Sequence, residues 1–246
     1  MKLKVLKACV VQSLLHNCET FSYQLPKDLE NQYFKLIKTT LGVRQSTPIL
    51  IVLIESGLLP LKGVIASRQF GFYKQFGESL HPGSSRSRVF ESLKADENLQ
   101  YIQHYVNISH KYTSKKDIYN EYVSEIRRQI NSLADQGNYK FEIYRKMNPS
   151  LERSHFLDLP HPLSDTIIKF RLGSHKLSIE TGRWKGLDRS DRICPQCNVL
   201  GDEEHYLYSC VQVRRDDLQL PLEMKDLWKN AGVFTLFSRL KDIDVL

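Results

Sequence analysis

The chain has 246 residues, of which 35 are lysine or arginine and 28 are aspartate or glutamate, so its formal net charge is +7. A content of 41% hydrophobic and 26% charged residues is typical of globular proteins and excludes a disordered or fibrous chain. The positive charge suits a polyanionic partner such as nucleic acid or an anionic membrane surface. A soluble protein that is merely basic is an equal alternative on charge alone.

The N-terminal stretch MKLKVLKACVVQSLLHN places lysines before an apolar run, as signal peptides do. Gln12 and Ser13 interrupt that run and no small-residue cleavage site follows, so we do not predict export. No run approaches the roughly 18 to 20 apolar residues that cross a bilayer, so no membrane association is expected. An odd number of cysteines without an export signal predicts a reducing, intracellular location, in the nucleus or the cytoplasm.

Apolar residues at helical spacing predict helices in the first part of the chain. One predicted helix begins near Pro26 and ends before Gly42. Thr47 and Pro48 are predicted as the N-cap and first residue of a helix through PILIVLIES, which we favour over a buried strand because its neighbours are helical. In the segment before Pro26, Cys9 and Cys18 are expected to be small core residues. They share one helical face with Leu6, Val10 and Leu14.

Helical periodicity continues through the middle of the chain. A helix is predicted from Pro60 to Phe76, and HPGSSRSR at residues 81–88 is predicted as a linker. Ser114 and Asp117 have the spacing of a capping box, which predicts a helix that ends at Gly137. The tyrosines and histidines between residues 98 and 112 fit an amphipathic helix better than a base-stacking surface.

The last third of the chain is predicted to mix short helices with one extended segment. A short helix is expected from Ser164 or Asp165 through DTIIKFRLGSHKL. The glycine-containing stretch ETGRWKGLDRSDR is expected to be extended, and one or two small helices are expected after residue 218.

Three cysteines and one histidine lie together in the segment CPQCNVLGDEEHYLYSC. Two residues separate Cys194 from Cys197, and four residues separate His205 from Cys210. Zinc binds four such ligands tetrahedrally in structural sites. Gly201 is expected to let the chain reverse between the two halves. The spacing therefore predicts a structural zinc site with four ligands: Cys194, Cys197, His205 and Cys210.

Other interpretations of these four residues remain open. They can be unrelated residues, or the first two cysteines can form a redox pair, although a redox pair requires a thioredoxin-like setting that the sequence does not indicate. A catalytic zinc is disfavoured because four protein ligands leave no position for an activated water.

The charge around the predicted zinc site limits how it can act. Three thiolates outweigh one divalent ion, and Asp202, Glu203 and Glu204 add further negative charge, so the site itself should repel phosphate. We therefore expect nucleic acid to contact the preceding cations, with Trp184 stacking on a base. We term these cations the basic segment: Lys169, Arg171, Lys176, Arg183, Lys185, Arg189 and Arg192. As an alternative, the cations are solvated side chains that bind no ligand.

Several stretches together resemble a known family. KVLKACVVQSLLHNCETF and LENQYFKLIKTTLGVRQSTP near the start, and FRLGSHKLSIETGRW before the cysteine cluster, resemble the C-terminal region of non-LTR (LINE-type) retrotransposon reverse transcriptases. The resemblance implies a helical thumb at the start and a CCHC zinc knuckle near the end. It also implies a role in holding template RNA and target DNA during target-primed reverse transcription.

The catalytic parts of that family are missing from the sequence. Polymerases hold two metal ions with paired palm aspartates, and no aromatic-x-Asp-Asp motif occurs. The adjacent Asp216 and Asp217 follow two arginines beyond the cysteine cluster, where no palm strand is expected. No endonuclease is recognisable either. We therefore expect no enzymatic activity and a chain that corresponds to a terminal fragment, with the missing polymerase portion as a partner.

The sequence therefore predicts an all-α protein in three segments. These are a thumb-like helical bundle (1–80), a helical connecting region (81–163), and the basic segment with the zinc knuckle and terminal helices (164–246). The predicted function is zinc-dependent, non-catalytic binding of RNA or DNA. The alternatives are a helical protein-interaction module and a pseudogene product without a selected role.

Overall fold

The computed structural model describes residues 2–16, 18, 27–75, 81, 83–95, 107, 108, 110–213, 215 and 217–246. Within these ranges the protein consists of helices and connecting turns, and the only β-type pairing is an isolated antiparallel bridge between Ile193 and Leu200. The predicted all-α fold is confirmed. Most of the tyrosine- and histidine-rich stretch at 98–112, together with Phe76 and Pro26, falls outside the described ranges.

None of the described helices is by itself long and apolar enough to cross a membrane. The pair Ile49–Ser56 and Leu61–Tyr73 meets the length and composition requirement only when both helices are taken together across the bend that separates them.

The chain forms two compact units. The first contains Met1–Ile37 and Leu58–Arg127, and the second contains Lys38–Gly57 and Arg128–Leu246. The predicted division into segments 1–80, 81–163 and 164–246 stays a prediction.

The first unit begins with a helical segment made of Lys2–Val5, a π-helical stretch Leu6–Val10, and Val11–Leu14. Its buried face differs from the predicted one, because the π-helical stretch changes the angular spacing of the side chains. Cys18 is buried as expected, whereas Cys9 is exposed. The side chains of this segment that are buried with Cys18 are Leu6, Val11 and Leu15.

Two further helices of the first unit are Leu61–Tyr73 and Ser85–Ala95. Phe70 and Tyr73 provide the buried aromatic rings of the helix Leu61–Tyr73. The helix Ser85–Ala95 shows that the linker predicted at residues 81–88 is wrong from residue 85 onward, where the chain is helical. Ser84 Oγ accepts a hydrogen bond from the amide of Ser87 at 3.1 Å, which caps the helix start.

The capping box predicted at Ser114 and Asp117 is present. The amide of Asp117 donates to Ser114 Oγ at 3.2 Å, and the amide of Ser114 donates to Asp117 Oδ2 at 2.7 Å. Hydrogen bonds to its carboxylate, first from Thr113 and then from Ser114, hold the pKa of Asp117 below its usual value. The helix they begin is Lys115–Asp135, and Gly137 follows its end with a φ of +80°.

The helix Lys27–Leu41 also ends as predicted. Gly42 follows it with a φ of +66°, a left-handed conformation that glycine adopts without strain. Tyr33 is buried in the first unit, and its hydroxyl donates to the Leu59 carbonyl at 3.0 Å.

In its described residues, the second unit contains short helices and two 3₁₀ turns. The 3₁₀ turns are His155–Leu157 and Arg189–Asp191. The helices are Ile49–Ser56, Tyr139–Met147, Ser164–Arg171, Ser178–Trp184, Glu203–Tyr208, Met224–Leu227 and Val233–Asp242.

The apolar run PILIVLIES forms the buried helix Ile49–Ser56, so the preference for helix over strand is confirmed. Its predicted N-cap is displaced by one residue, because Pro48 occupies the cap position and Thr47 lies one residue outside it. Thr47 is buried with no hydrogen-bond partner for its hydroxyl among the residues that the structure describes.

A buried ion pair crosses the interior of the second unit. Arg171 Nε lies 2.6 Å from Glu55 Oε1, and its Nη2 lies 3.0 Å from Glu55 Oε2. The Tyr144 hydroxyl donates to Glu55 Oε2 at 2.8 Å, and burial raises the pKa of that phenol well above its usual value, so it remains a donor. The guanidinium also lies 4.8 Å from the centre of the Trp228 ring. This group fixes three helices to one another inside the unit.

Candidate metal centre

The first half of the cysteine cluster is a tight turn. The amide of Cys194 donates to the Val199 carbonyl at 2.7 Å, and the amide of Asn198 donates to the Cys194 carbonyl at 2.9 Å. Asn198 closes the turn in the left-handed conformation, with a φ of 55°, which asparagine tolerates better than most residues. These bonds direct the first two cysteines toward the same point.

The second half is a short helix with a distorted end. The helix Glu203–Tyr208 begins at Asp202, whose side chain accepts a hydrogen bond from the His205 amide at 3.0 Å. After Ser209 the chain leaves the helix, and the amide of Cys210 donates to the His205 carbonyl at 2.8 Å. This helix with its loosened end lets two residues five positions apart, His205 and Cys210, face the same point.

The four predicted ligands converge. One ligand atom from each of Cys194, Cys197, His205 and Cys210 lies within 4.8 Å of all the others. Cys210 Sγ is 3.9 Å from Cys194 Sγ and 3.9 Å from Cys197 Sγ. A tetrahedral zinc ion with Zn–S bonds of about 2.3 Å places its sulfurs roughly 3.8 Å apart. The observed separations fit such a site and are too long for disulfide bonds.

The surroundings of these ligands support a metal ion rather than chance proximity. Nε2 of His205 is buried and has no hydrogen-bond partner in the part of the chain that the structure describes. A buried imidazole nitrogen beside three sulfurs is otherwise costly, and a metal ion satisfies it. Val211 donates its amide to Cys197 Sγ at 3.5 Å, a contact that stabilises a thiolate. The residues can therefore hold a metal ion.

The thiols have unequal acidity. Burial opposes ionisation of Cys194, but hydrogen bonds from the Tyr206 hydroxyl and from nearby backbone amides outweigh it and lower the pKa of this thiol to about 6. Burial raises the pKa of Cys210 to about 11, and the neighbouring Cys194 sulfur adds to this increase. Three adjacent sulfurs cannot all ionise easily without a cation, whereas a bound metal ion removes this repulsion.

Gly201 performs a different task from the predicted one. A Cβ atom at this position would lie 2.7 Å from Ser178 Cβ and 3.0 Å from the Cys194 amide nitrogen. Glycine is therefore required for close packing of the cluster against the start of the Ser178–Trp184 helix. The left-handed residue that reverses the chain is Asn198, as described above.

Arg215 is a supporting residue that the sequence did not indicate. Its guanidinium donates to the carbonyls of Leu207 and Cys210, both at 2.8 Å, and to those of Val213 and Tyr206 at 2.9 and 2.5 Å. These carbonyls belong to the helix end and turn that carry His205 and Cys210. A single planar cation thus fixes the second half of the metal site.

Arg215→Lys is expected to weaken metal binding by roughly tenfold, the effect typical of losing a group that orients metal ligands. An ammonium group keeps the charge but cannot reach four carbonyls from one plane. Titration with zinc against a competing chelator measures this change. Lys229→Arg, a change of the same size at an exposed position, should leave the affinity unchanged, and an equal loss in both variants would contradict the assignment.

The three acidic residues beside the cluster are partly neutralised. Asp202 caps the helix and Glu204 lies 3.0 Å from Lys146. Glu203 is buried, where its carboxylate accepts from Tyr139 at 2.7 Å and lies 3.0 Å from His175 Nε2. Burial raises the pKa of Glu203, but the His175 and Tyr139 contacts outweigh it and hold the pKa below its usual value. Glu203 therefore contributes to the interior rather than to surface repulsion.

Two members of the basic segment serve the interior. Arg171 is buried in the ion pair with Glu55, so it is not available to a surface ligand, and its predicted role in binding nucleic acid is corrected. Arg192 is half-buried and donates to the carbonyls of Leu187 and Ile179, which shapes the turn before the cluster.

The other members of the basic segment reach the surface to different extents. Lys169 is half-buried, and Lys176 is exposed and paired with Asp244 at 2.7 Å. Arg183 is half-buried and lies 2.7 Å from Glu180, a buried carboxylate that also pairs with Lys140. The two remaining cations lie in the exposed stretch 184–191: Lys185 and Arg189.

The predicted extended stretch begins instead as the helix Ser178–Trp184, which is a correction. Trp184 ends this helix with 46% of its surface exposed. The Arg44 guanidinium lies 3.4 Å from the centre of its ring and covers one face. Arg189 similarly lies 3.7 Å from the centre of the Tyr139 ring. Two cations therefore stack on aromatic rings of the second unit, and neither contact could be predicted because the partners lie far apart in the sequence.

Comparison with known proteins finds no matching family model, no similar curated protein and no similar solved structure.

Proposed function

We propose that this chain is a zinc-dependent, non-catalytic nucleic-acid-binding module. The convergence of Cys194, Cys197, His205 and Cys210 is the observation that carries the proposal. A donor set of three thiolates and one imidazole suits zinc. Because four protein ligands complete a tetrahedral shell, the ion has a structural role and holds a short segment in shape.

The surface next to this site supports nucleic acid as the ligand. Lys185 and Arg189 are exposed, and Trp184 is exposed over 46% of its surface with the Arg44 guanidinium stacked on its ring. An aromatic ring backed by a cation and flanked by further cations suits a single strand, since bases stack on the ring while phosphates contact the charges. Asp188 and Asp191 lie in the same exposed stretch, so the contact is expected to be local rather than a wide basic face.

The resemblance to the C-terminal region of non-LTR retrotransposon reverse transcriptases agrees with this proposal. The proposed ligands are template RNA or target DNA, and a polymerase portion of the same element is the proposed protein partner. The proposed location is intracellular, where free thiols remain available to zinc.

The proposal is tested by measuring the affinity for a single-stranded oligonucleotide, as RNA and as DNA, across a salt series. Replacing Lys185 and Arg189 together by glutamine is expected to weaken the salt dependence. The magnitude of the negative slope of log K against log salt should fall by about 1.4, since each phosphate contact to a single strand contributes about 0.7. Fluorescence anisotropy measures both quantities.

The matched control replaces two exposed lysines outside the surface, Lys116→Gln with Lys229→Gln, which removes the same net charge. This control should leave the slope close to the wild-type value. Equal slopes in the two double variants would show that only the net charge attracts the nucleic acid. Absence of any salt dependence in the wild-type chain would contradict the proposed function.

A further inference from the structure

A small pocket lies in the second unit, apart from the four metal ligands. Its volume is about 130 Å³. The lining comes from the Ser164–Arg171 helix and the turn after it, from the last helix, and from the final residue: Thr166, Lys169, Phe170, Ser174, His175, Lys241 and Leu246.

Two lysines give this pocket its charge. Lys169 and Lys241 both line it, and neither has a carboxylate within ion-pair distance in the ranges that the structure describes. Two nearby carboxylates already have partners, since Glu203 contacts His175 and Asp244 pairs with Lys176. The side chains of the lining therefore carry two positive charges, of which the terminal carboxylate of Leu246 offsets at most one, so a net positive charge remains for an anionic ligand to balance.

Neutral groups of the lining also have unused hydrogen-bonding capacity. Ser174 Oγ accepts from the Arg44 amide at 3.1 Å, which leaves its own proton for a ligand. The carbonyls at the end of the Ser164–Arg171 helix are already satisfied, because the Ser174 amide donates to the Lys169 carbonyl at 2.8 Å and the Gly173 amide to that of Phe170 at 2.9 Å. The helix end therefore presents few free carbonyls to repel an anion.

His175 provides the second, independent indication of a ligand. It is buried, and its Nε2 lies 3.0 Å from Glu203, which is not part of the lining. Its other ring nitrogen, Nδ1, is buried with no hydrogen-bond partner in the described part of the chain. A buried nitrogen without a hydrogen-bond partner costs folding free energy. A ligand with both protonated and unprotonated oxygens can supply the partner, because Nδ1 accepts from a protonated oxygen when it carries no proton and donates to an unprotonated one when it does.

From this geometry we infer that the pocket binds a single phosphoryl group. Lys169 and Lys241 would balance its charge, Ser174 and Thr166 would donate hydrogen bonds, and His175 would contact one oxygen. Pockets for drug-sized ligands have volumes of about 300 Å³ or more, so this pocket suits one phosphoryl group and excludes a whole nucleoside.

The inference does not depend on the proposed nucleic-acid surface, since the two share no exposed cation. A phosphoryl group can reach the pocket as free inorganic phosphate or as the terminal phosphate of a strand. Both sources have the same tetrahedral oxyanion, and the experiment below separates them.

The test is a titration of the full chain with inorganic phosphate at constant ionic strength, followed by NMR of the His175 ring nitrogens. A saturable shift of the Nδ1 signal is expected. Lys241→Gln is expected to weaken phosphate binding about tenfold, the effect of removing one charge-assisted contact. Lys241 is exposed, so this variant should keep its fold, and circular dichroism checks this. Lys229→Gln is the matched control and should bind phosphate as the wild type does.

A second arm compares short strands with a 5′-phosphate and with a 5′-hydroxyl. If the phosphorylated strand binds more tightly and loses this advantage in Lys241→Gln, the pocket takes strand ends. If inorganic phosphate binds and the two strands do not differ, the pocket takes free phosphate. A linear response to phosphate without saturation, or equal binding by the wild type and Lys241→Gln, would overturn the inference while leaving the proposed function unaffected.

Discussion

Cys197→Ser is expected to lower the zinc affinity of the chain by more than about 100-fold, since losing a ligand exceeds the effect of losing a group that orients one. It should also loosen the segment 194–210. The effect should be largest in the turn 194–200, which pairs through an isolated bridge, whereas the following helix is also held by the buried Glu203 and by Arg215. In structural zinc sites, binding of the ion supplies the free energy of local folding.

The measurement is the zinc content of purified protein, together with hydrogen exchange of the amides from 194 to 210. Cys9→Ser is the matched control, because it makes the same chemical change at an exposed cysteine of the other unit. It should retain one zinc ion per chain and the wild-type exchange pattern. Full zinc content in Cys197→Ser would show that the four side chains do not act as one site.

Arg171→Met is expected to lower the free energy of unfolding of the second unit by about 3 to 5 kcal/mol. The substitution keeps much of the side-chain volume but leaves the Glu55 carboxylate buried without its cation. Glu55 is completely buried, so water cannot replace the lost partner. The Tyr144 hydroxyl remains as a donor, but it does not carry a charge.

The double variant Glu55→Leu with Arg171→Met should recover much of this loss, since a buried ion pair replaced by apolar residues is often nearly neutral. Urea unfolding of both variants measures the difference. If the single and double variants are equally destabilised, the loss comes from packing against Trp228 and not from an isolated buried charge.

Local signals in the sequence predicted much of the fold. The capping box at Ser114 and Asp117, and the glycines after two helices, act through residues only a few positions apart. The meeting of the four candidate metal ligands could be predicted for the same reason, since all four lie in one short segment and their spacing alone restricts how they can meet.

Contacts between distant parts of the chain could not be predicted in this way. Arg171 was placed at the surface because its sequence neighbours are basic, yet its partner Glu55 lies 116 positions earlier. The stacking of Arg44 on Trp184 and the four carbonyl contacts of Arg215 depend equally on the folded arrangement. The burial of a charged side chain is decided by its partner, which sequence periodicity does not reveal.

The misplaced linker at residues 81–88 has a different cause. Serines and arginines fit exposed helices as well as loops, so composition alone does not separate the two, and a hydroxyl cap at Ser84 is sufficient to begin the helix there. The stretch before the metal site was misjudged in the same way. Its glycines suggested an extended chain, but Gly182 is buried within the Ser178–Trp184 helix, where the Arg192 side chain packs against it.

X-ray absorption spectroscopy at the zinc edge of the purified chain shows whether Cys194, Cys197, His205 and Cys210 bind one zinc ion together. One zinc ion per chain is expected, with three sulfur neighbours at about 2.3 Å and one nitrogen neighbour at about 2.0 Å. A first shell made of oxygen and nitrogen atoms alone, or a protein purified without bound metal that does not take up zinc, would contradict this expectation.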